Sequence, residues 1–162
     1  MSELNQLARQ LGESLLRHAW KVALAESCTG GWVAKCLTDI AGSSAWFDRG
    51  FVTYSNAAKR GMLGVSVELL DTAGAVSEPT VLAMAAGVLA HSEADLALAI
   101  SGIAGPGGAV PGKPVGTVCF AWAVKDGRQQ AETQHFSGDR EAVRRQSVAH
   151  GLRRLIDVLE HG

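Results

Sequence analysis

Two short apolar runs, each followed by glycines, constrain the fold of this 162-residue chain more than any other feature. VALAE at 22–26 and LALAI at 96–100 have the length of strands buried on both faces, and SCTGG and SGIAGP follow them. Segments with helical spacing lie before, between and after these runs. The alternation predicts an α/β protein in which the glycine-containing turns lie beyond the carboxyl ends of parallel strands.

The rest of the pattern completes a three-layer α/β/α sandwich, a single domain over residues 1–162. Beyond the helix at the N-terminus and the two apolar strands, helices are predicted over 32–38, 57–63, 67–72, 77–91 and 139–159, and strands over 47–54, 115–124 and 130–136. The Asp126-Gly127 pair indicates a hairpin between the last two strands. The sheet is therefore predicted to be mixed and mostly parallel.

Composition argues against several classes of partner. With a formal net charge of −1, the chain has no overall attraction for nucleic acid or for a membrane surface, so an anionic ligand must meet a local basic cluster. The N-terminus carries early acidic residues and no uninterrupted apolar core, and we expect neither a signal peptide nor a membrane span. Three cysteines without CxxC spacing favour a reducing, cytoplasmic location. A homo-oligomer is expected from general prevalence alone.

No cofactor or metal site is predicted. The five histidines are scattered, without HxxxH or Cys/His spacing suited to zinc. GGAVPGKP at 107–114 matches GxxxxGK, but Pro114 stands where a magnesium-binding Ser or Thr is needed, which argues against an ATPase. SGIAGPGG does not match GxGxxG, so a dinucleotide fingerprint is absent. Its glycines fit a ligand-binding loop or a plain loop equally well.

The segment GSSAWFDRGFVTYSNAAK at 42–59 combines several hydroxyl groups with one lysine and no histidine. The chain has neither a GxSxG nor an SxxK motif, and Cys28 is better interpreted as a buried thiol than as a nucleophile. Lys59 is predicted in the first turn of a helix, where the helix dipole and the neighbouring Arg60 favour a neutral amine. Such an amine can take a proton from a hydroxyl. A solvated surface lysine is the alternative. The candidate hydroxyls are those of Ser27, Ser43, Ser44 and Ser55.

A basic cluster, GDREAVRR at 138–145, begins the last helix. Asp139 can cap this helix, and Arg140 and Arg144 lie four residues apart on one face near its positive end. We predict that these two arginines form a clamp for a phosphate or carboxylate group.

Six blocks of the sequence together resemble the CinA C-terminal domain family, whose stand-alone members are nicotinamide mononucleotide (NMN) deamidases. They are AESCTGG at 25–31, GSSAWFDRGFVTYSNAAK at 42–59, GAVSE at 74–78, SGIAGP at 101–106, PVGTV at 114–118 and GDR at 138–140. The resemblance spans nearly the whole chain. It implies hydrolysis of the NMN carboxamide to nicotinic acid mononucleotide and ammonia by a serine–lysine pair. A non-catalytic nucleotide-binding module is the alternative.

The resemblance also assigns roles to individual residues. Ser44 is expected to be the nucleophile, Lys59 its base, and Tyr54 a group that assists proton transfer or orients the lysine. Ser101 stands where relatives often have threonine, and either hydroxyl can bond substrate. Arg140 is our own assignment to the substrate phosphate. The expected substrate contacts are Ser27, Thr29, Gly30, Ser101, Gly102, Gly105 and Arg140.

Overall fold

The computed structural model describes residues 2–162 and confirms the predicted α/β sandwich. Residues 2–162 form six α-helices and five strands. Their order is α1 (Glu3–His18), β1 (Val22–Glu26), α2 (Trp32–Thr38), β2 (Phe47–Val52), α3 (Asn56–Leu63), α4 (Val67–Ala73), α5 (Glu78–Ala90), β3 (Leu96–Gly102), β4 (Thr117–Val124), β5 (Gln129–His135) and α6 (Arg140–His161). A single 3₁₀ turn, Ser43–Ala45, precedes β2.

The strands form one sheet in the order β2-β1-β3-β4-β5. β1 pairs in parallel with both β2 and β3, whereas β4 is antiparallel to β3 and β5, so the predicted mixed sheet is confirmed. β2 ends at Val52, two residues earlier than predicted, and β3 continues two residues further because Gly102 pairs with Val118 of β4. The carboxyl ends of β1, β2 and β3 therefore lie together at one edge of the sheet.

The two faces of the sheet carry side chains of different size. Toward α1, α2 and α6 the strands present large apolar groups: Val22, Leu24, Leu96, Leu98, Ile100, Val118 and Phe120. Toward α3, α4 and α5 they present mainly alanine: Ala23, Ala25, Ala97, Ala99, Ala121 and Ala123. We call this second surface the alanine face. Methyl groups occupy little depth, so α5 packs against its backbone at close range.

Close packing continues between α5 and α3. Gly87 of α5 faces the end of α3, and a Cβ built on it would lie 2.3 Å from the backbone oxygen of Leu63. A backbone oxygen cannot rotate aside as a side chain can, so only glycine fits here. This contact fixes the depth at which α3 lies beneath the carboxyl edge of the sheet.

Serine and aspartate side chains fix where the helices begin. The predicted caps Ser55, Ser77 and Asp139 are confirmed, since each accepts a hydrogen bond from a backbone N–H in the first turn of α3, α5 or α6. With Ser55 at the cap, Lys59 is placed one turn inside α3. None of the helices within residues 2–162 combines the length and apolar character needed to cross a bilayer.

Two helical glycines with different surroundings test the close contact. Gly87→Ala should lower the free energy of unfolding, because the added methyl group collides with the Leu63 backbone. Gly61→Ala, on the open side of α3 with no atom within 4 Å, should raise it by about 0.5–1 kcal/mol through helix propensity alone. Urea unfolding of the two variants measures both values, and equal stabilisation would contradict the contact.

Candidate active site

A cavity of about 320 Å³ opens at the edge where β1, β2 and β3 end. Its walls come from the turn after β1, the start of α3, the loop before α5, the glycine-rich segment after β3 and the start of α6. Of the residues predicted to form the site, seven line it: Ser27, Tyr54, Lys59, Ser101, Gly102, Gly105 and Arg140. The sheet edge thus collects residues that lie far apart in the sequence.

Lys59 has its amine at the inner wall of the cavity. The residue is 1% exposed, and its Nζ lies 3.1 Å from Ser27 Oγ, 2.9 Å from the Thr53 carbonyl oxygen and 3.5 Å from that of Tyr54. Burial lowers the pKa of this amine below its ordinary value of 10.5. The sequence predicted a lowered pKa from the helix end and from Arg60, but Arg60 is exposed and burial is the cause.

The turn that carries Ser27 is closed by hydrogen bonds on both sides. The carboxylate of Glu26, 1% exposed at the end of β1, accepts bonds from the backbone N–H groups of Val33 (2.9 Å) and Ala34 (3.0 Å) in the first turn of α2. The N–H of Gly30 donates to the Ser27 carbonyl oxygen at 3.0 Å, with Gly30 at a φ of +58°. Ser27 is therefore held at a strand-to-helix turn, where its hydroxyl faces Lys59.

Arg144 contacts this turn instead of the cavity. Its Nε donates to the Cys28 carbonyl oxygen at 3.0 Å, its Nη2 donates to the Thr29 carbonyl oxygen at 3.2 Å, and its guanidinium lies 5.4 Å from the centre of the Trp32 ring. The predicted clamp formed by Arg140 and Arg144 is therefore wrong. Both arginines lie on one face of α6, but the backbone carbonyls occupy Arg144.

Arg140 lies at the mouth of the cavity. Its Nη1 donates to the Gly105 carbonyl oxygen at 2.7 Å and its Nη2 donates to the Tyr54 hydroxyl at 3.1 Å. Tyr54 is 61% exposed and lines the cavity, and its hydroxyl is bonded to Arg140 rather than to Lys59. The backbone carbonyl oxygen of the tyrosine accepts a hydrogen bond from the lysine, and the expected role of the tyrosine hydroxyl in proton transfer stays a prediction. Three segments of the chain meet at this arginine.

Ser44 does not reach Lys59, which corrects the expected pairing. It lies in the 3₁₀ turn before β2, is exposed and is not part of the cavity wall. The six residues of β2 then lead away from it, a distance of about 20 Å at the usual rise per residue. Ser27 holds the position beside the amine that the sequence analysis gave to Ser44.

Thr29 and Gly30 lie behind the cavity wall, so their expected contact with substrate stays a prediction. Thr29 is fully buried and Gly30 shapes the turn, and neither lines the cavity. Conversely, Asn56 and Val76 line the cavity, although the sequence analysis gave neither residue a role there. The GAVSE block, which contains Val76, was the available signal.

Burial raises the pKa of the Cys28 thiol to about 11, so the cysteine stays a thiol as predicted. No group of three or more His, Cys, Asp or Glu side chains in the described part of the chain is placed to hold a metal ion. Ser27 and Lys59 are thus the pair in this cavity whose geometry suits nucleophilic catalysis.

Comparison with known proteins identifies the family. A family model described as the CinA C-terminal domain matches residues 4–159. The chain belongs to the CinA C-terminal domain family. It is 58% identical over 154 residues to nicotinamide-nucleotide amidohydrolase PncC of Escherichia coli (strain K12), covering 95% of this chain and 93% of that protein. The protein of the same name from Pseudomonas putida is 51% identical over 159 residues, covering 98% of each.

A solved structure shares the fold closely. The crystal structure of the competence/damage inducible protein CihA from Agrobacterium tumefaciens superimposes with a TM-score of 0.95 at 45% sequence identity, covering 99% of this chain and 98% of that one. This chain therefore shares its fold with that protein.

The buried amine predicts a pH-dependent difference in stability between the wild type and Lys59→Met. Because the pKa of Lys59 is lowered on folding, the unfolded chain binds a proton that the folded chain lacks between the lowered pKa and 10.5. The resulting destabilisation of the folded wild type is absent above pH 10.5 and grows as the pH falls toward the lowered pKa of Lys59. The free energy of unfolding of the variant relative to the wild type should therefore rise as the pH is lowered across this window.

Urea unfolding at a series of pH values measures that difference. Arg60→Met is the matched control, because it removes an exposed cation from the adjacent position. A pH dependence that is the same in both variants would contradict the assignment to Lys59.

Proposed function

We propose that this protein hydrolyses the carboxamide of nicotinamide mononucleotide, giving nicotinic acid mononucleotide and ammonia, as a step in pyridine nucleotide recycling. The names of two relatives, at 58% and 51% identity over nearly whole chains, support the substrate class. The cavity supports the chemistry. The cytoplasmic location and the homo-oligomeric state expected from the sequence stay predictions.

One observation carries the proposal: Lys59 Nζ lies 3.1 Å from Ser27 Oγ in a buried setting that lowers the pKa of the amine. A neutral amine has two N–H groups and one lone pair. The carbonyl oxygens of Thr53 and Tyr54 are placed to accept the two N–H bonds, which leaves the lone pair for the Ser27 hydroxyl proton. The backbone thereby orients the base toward the nucleophile.

Hydrolysis then follows in two halves. Ser27 Oγ attacks the carboxamide carbon while Lys59 takes the hydroxyl proton, and a tetrahedral intermediate forms. Lys59 returns this proton to the amide nitrogen, the C–N bond breaks, and ammonia leaves behind an ester on Ser27. Water, deprotonated by Lys59, attacks the ester carbon; Lys59 then returns this proton to Ser27 Oγ as the ester C–O bond breaks and nicotinic acid mononucleotide is released. The serine is regenerated, and one water is consumed for each ammonia released.

We assign the substrate phosphate to Arg140 at the cavity mouth. Its guanidinium is already accessible there, and a phosphate can replace the Tyr54 hydroxyl as the partner of Nη2. Ser101, Gly102 and Gly105 also line the cavity, and we place the ribose and the ring of the substrate against them.

A non-catalytic nucleotide-binding module is the competing function. Burying a lysine amine against a hydroxyl group has an energetic cost that binding alone does not require. The Lys59–Ser27 contact therefore favours the enzyme. Binding of NMN without release of ammonia by the wild type would favour the module.

Serine variants test the nucleophile directly. Ser27→Ala should lower kcat for ammonia release from NMN by more than about a thousandfold, because no other cavity hydroxyl contacts Lys59 within residues 2–162. Ser44→Ala is the matched control and should retain full turnover, since Ser44 precedes the amino end of β2 and the cavity lies at the carboxyl ends of the strands. Loss of activity in Ser44→Ala with retention in Ser27→Ala would restore the pairing expected from the sequence.

Arg140→Met tests the phosphate assignment. The variant should raise KM for NMN about tenfold or more, because a charge-assisted hydrogen-bond pair to phosphate is lost. Turnover of nicotinamide riboside, which has no phosphate, serves as the control in the same variant and should not change. An equal loss with both substrates would place Arg140 in maintaining the cavity mouth instead.

A further inference from the structure

We propose that Arg144 is a positioning residue for the reaction: its guanidinium holds the two peptide units that follow Ser27 and so keeps the Ser27 hydroxyl at Lys59. The inference rests on the proposed function, in which Ser27 is the nucleophile. Arg144 does not line the cavity, so its effect on the reaction passes through the turn.

The contacts of Arg144 form a fixed fork on the backbone. Nε and Nη2 reach the carbonyl oxygens of Cys28 and Thr29 at 3.0 and 3.2 Å, and the Trp32 ring supports the guanidinium 5.4 Å from its centre. The planar guanidinium can present two donors in one fixed geometry. These three neighbouring groups hold the guanidinium of Arg144 in one position. The guanidinium in turn restricts the conformation of the turn that follows Ser27.

The turn has conformational freedom that these contacts remove. Gly30 and Gly31 both have positive φ values, +58° and +101°, and glycine exchanges between such conformations easily. On the other side of Ser27, the Glu26 carboxylate secures the start of α2 but does not contact the peptide units of Cys28 and Thr29. Arg144 secures the Cys28 carbonyl at 3.0 Å, and it shares the Thr29 carbonyl with the backbone N–H of Trp32, which donates to it at 3.0 Å.

Fixing the carbonyls also fixes the neighbouring N–H groups. Each peptide unit is planar and trans, so the Thr29 N–H points opposite to the Cys28 carbonyl, away from Arg144. Catalysis by acyl transfer depends on the nucleophile and on N–H groups held still before the reaction begins. Arg144 therefore contributes preorganisation of the nucleophile turn rather than contact with substrate.

A lysine cannot reproduce this arrangement. It would retain the positive charge, but its ammonium is a single point of contact on a flexible stem. Arg144→Lys and Arg144→Ala should both lower kcat for NMN by about a hundredfold, the scale of a small misplacement of reacting groups, while KM stays unchanged. The matched control is Arg145→Ala, an exposed arginine at the next position of α6.

Chemical rescue separates positioning from folding. Guanidinium chloride at millimolar concentration should restore part of the kcat of Arg144→Ala and leave the wild type and Arg145→Ala unchanged. The pH dependence of the residual activity should follow the wild type, because Lys59 keeps its burial. A rise in KM with unchanged kcat, or an equal loss in Arg145→Ala, would overturn the positioning role.

A second measurement does not depend on the substrate. The rate at which phenylmethanesulfonyl fluoride labels Ser27, followed by mass spectrometry, should fall in both Arg144 variants by the same factor as kcat. If the wild type releases no ammonia from NMN yet labels rapidly at Ser27, the proposed substrate fails while the labelling rates still decide the role of Arg144. Labelling at the wild-type rate in both variants overturns it.

Discussion

The buried carboxylate of Glu26 is the interaction on which the arrangement of the site depends. It ends β1 and, by accepting two backbone N–H groups, begins α2. Such a carboxylate is stabilised by the positive end of the helix dipole as well as by the hydrogen bonds. The interval between strand and helix is therefore short and fixed, and Ser27 is the first residue in it. Every other component of the cavity is arranged around that position.

The side chains of the site come from helices on both faces of the sheet. α3 supplies Lys59 from the side of the alanine face, whereas α6 supplies Arg140 at the mouth and Arg144 behind the nucleophile turn. Because each helix begins at a side-chain cap, the axial position of its functional residues is determined locally. Separate helices thus position Lys59, the proposed base, and the two arginines.

Much of the fold could be predicted from the sequence because its signals are local. The apolar runs VALAE and LALAI, the caps Ser55 and Asp139, and the turn at Asp126-Gly127 each act within a few residues. The strand boundaries were less certain, since Gly102 belongs to β3 only through its pairing with Val118 of a later strand.

The site was predicted in part. Lys59 and its lowered pKa were expected, but the family resemblance assigned its partner to Ser44, while the residues alone left Ser27, Ser43, Ser44 and Ser55 open. The strand β2 separates Ser44 from Lys59, and a parallel neighbour brings Ser27 close instead. The role of Arg144 could not be read from helical spacing, because spacing gives the face of α6 but not the carbonyls that meet it.

The alanine face limits how this scaffold can change over evolutionary time. Larger side chains at positions such as Ala99 or Ala25 would push α5 outward, and α3, which touches α5 through Gly87, would move with it. Lys59 would then be displaced from Ser27. A smaller side chain at Val76, which lines the cavity and is only partly buried against the same core, would change the lining without shifting the contact between Lys59 and Ser27. The alanine face thus couples the depth of the helix layer to the distance between Lys59 and Ser27.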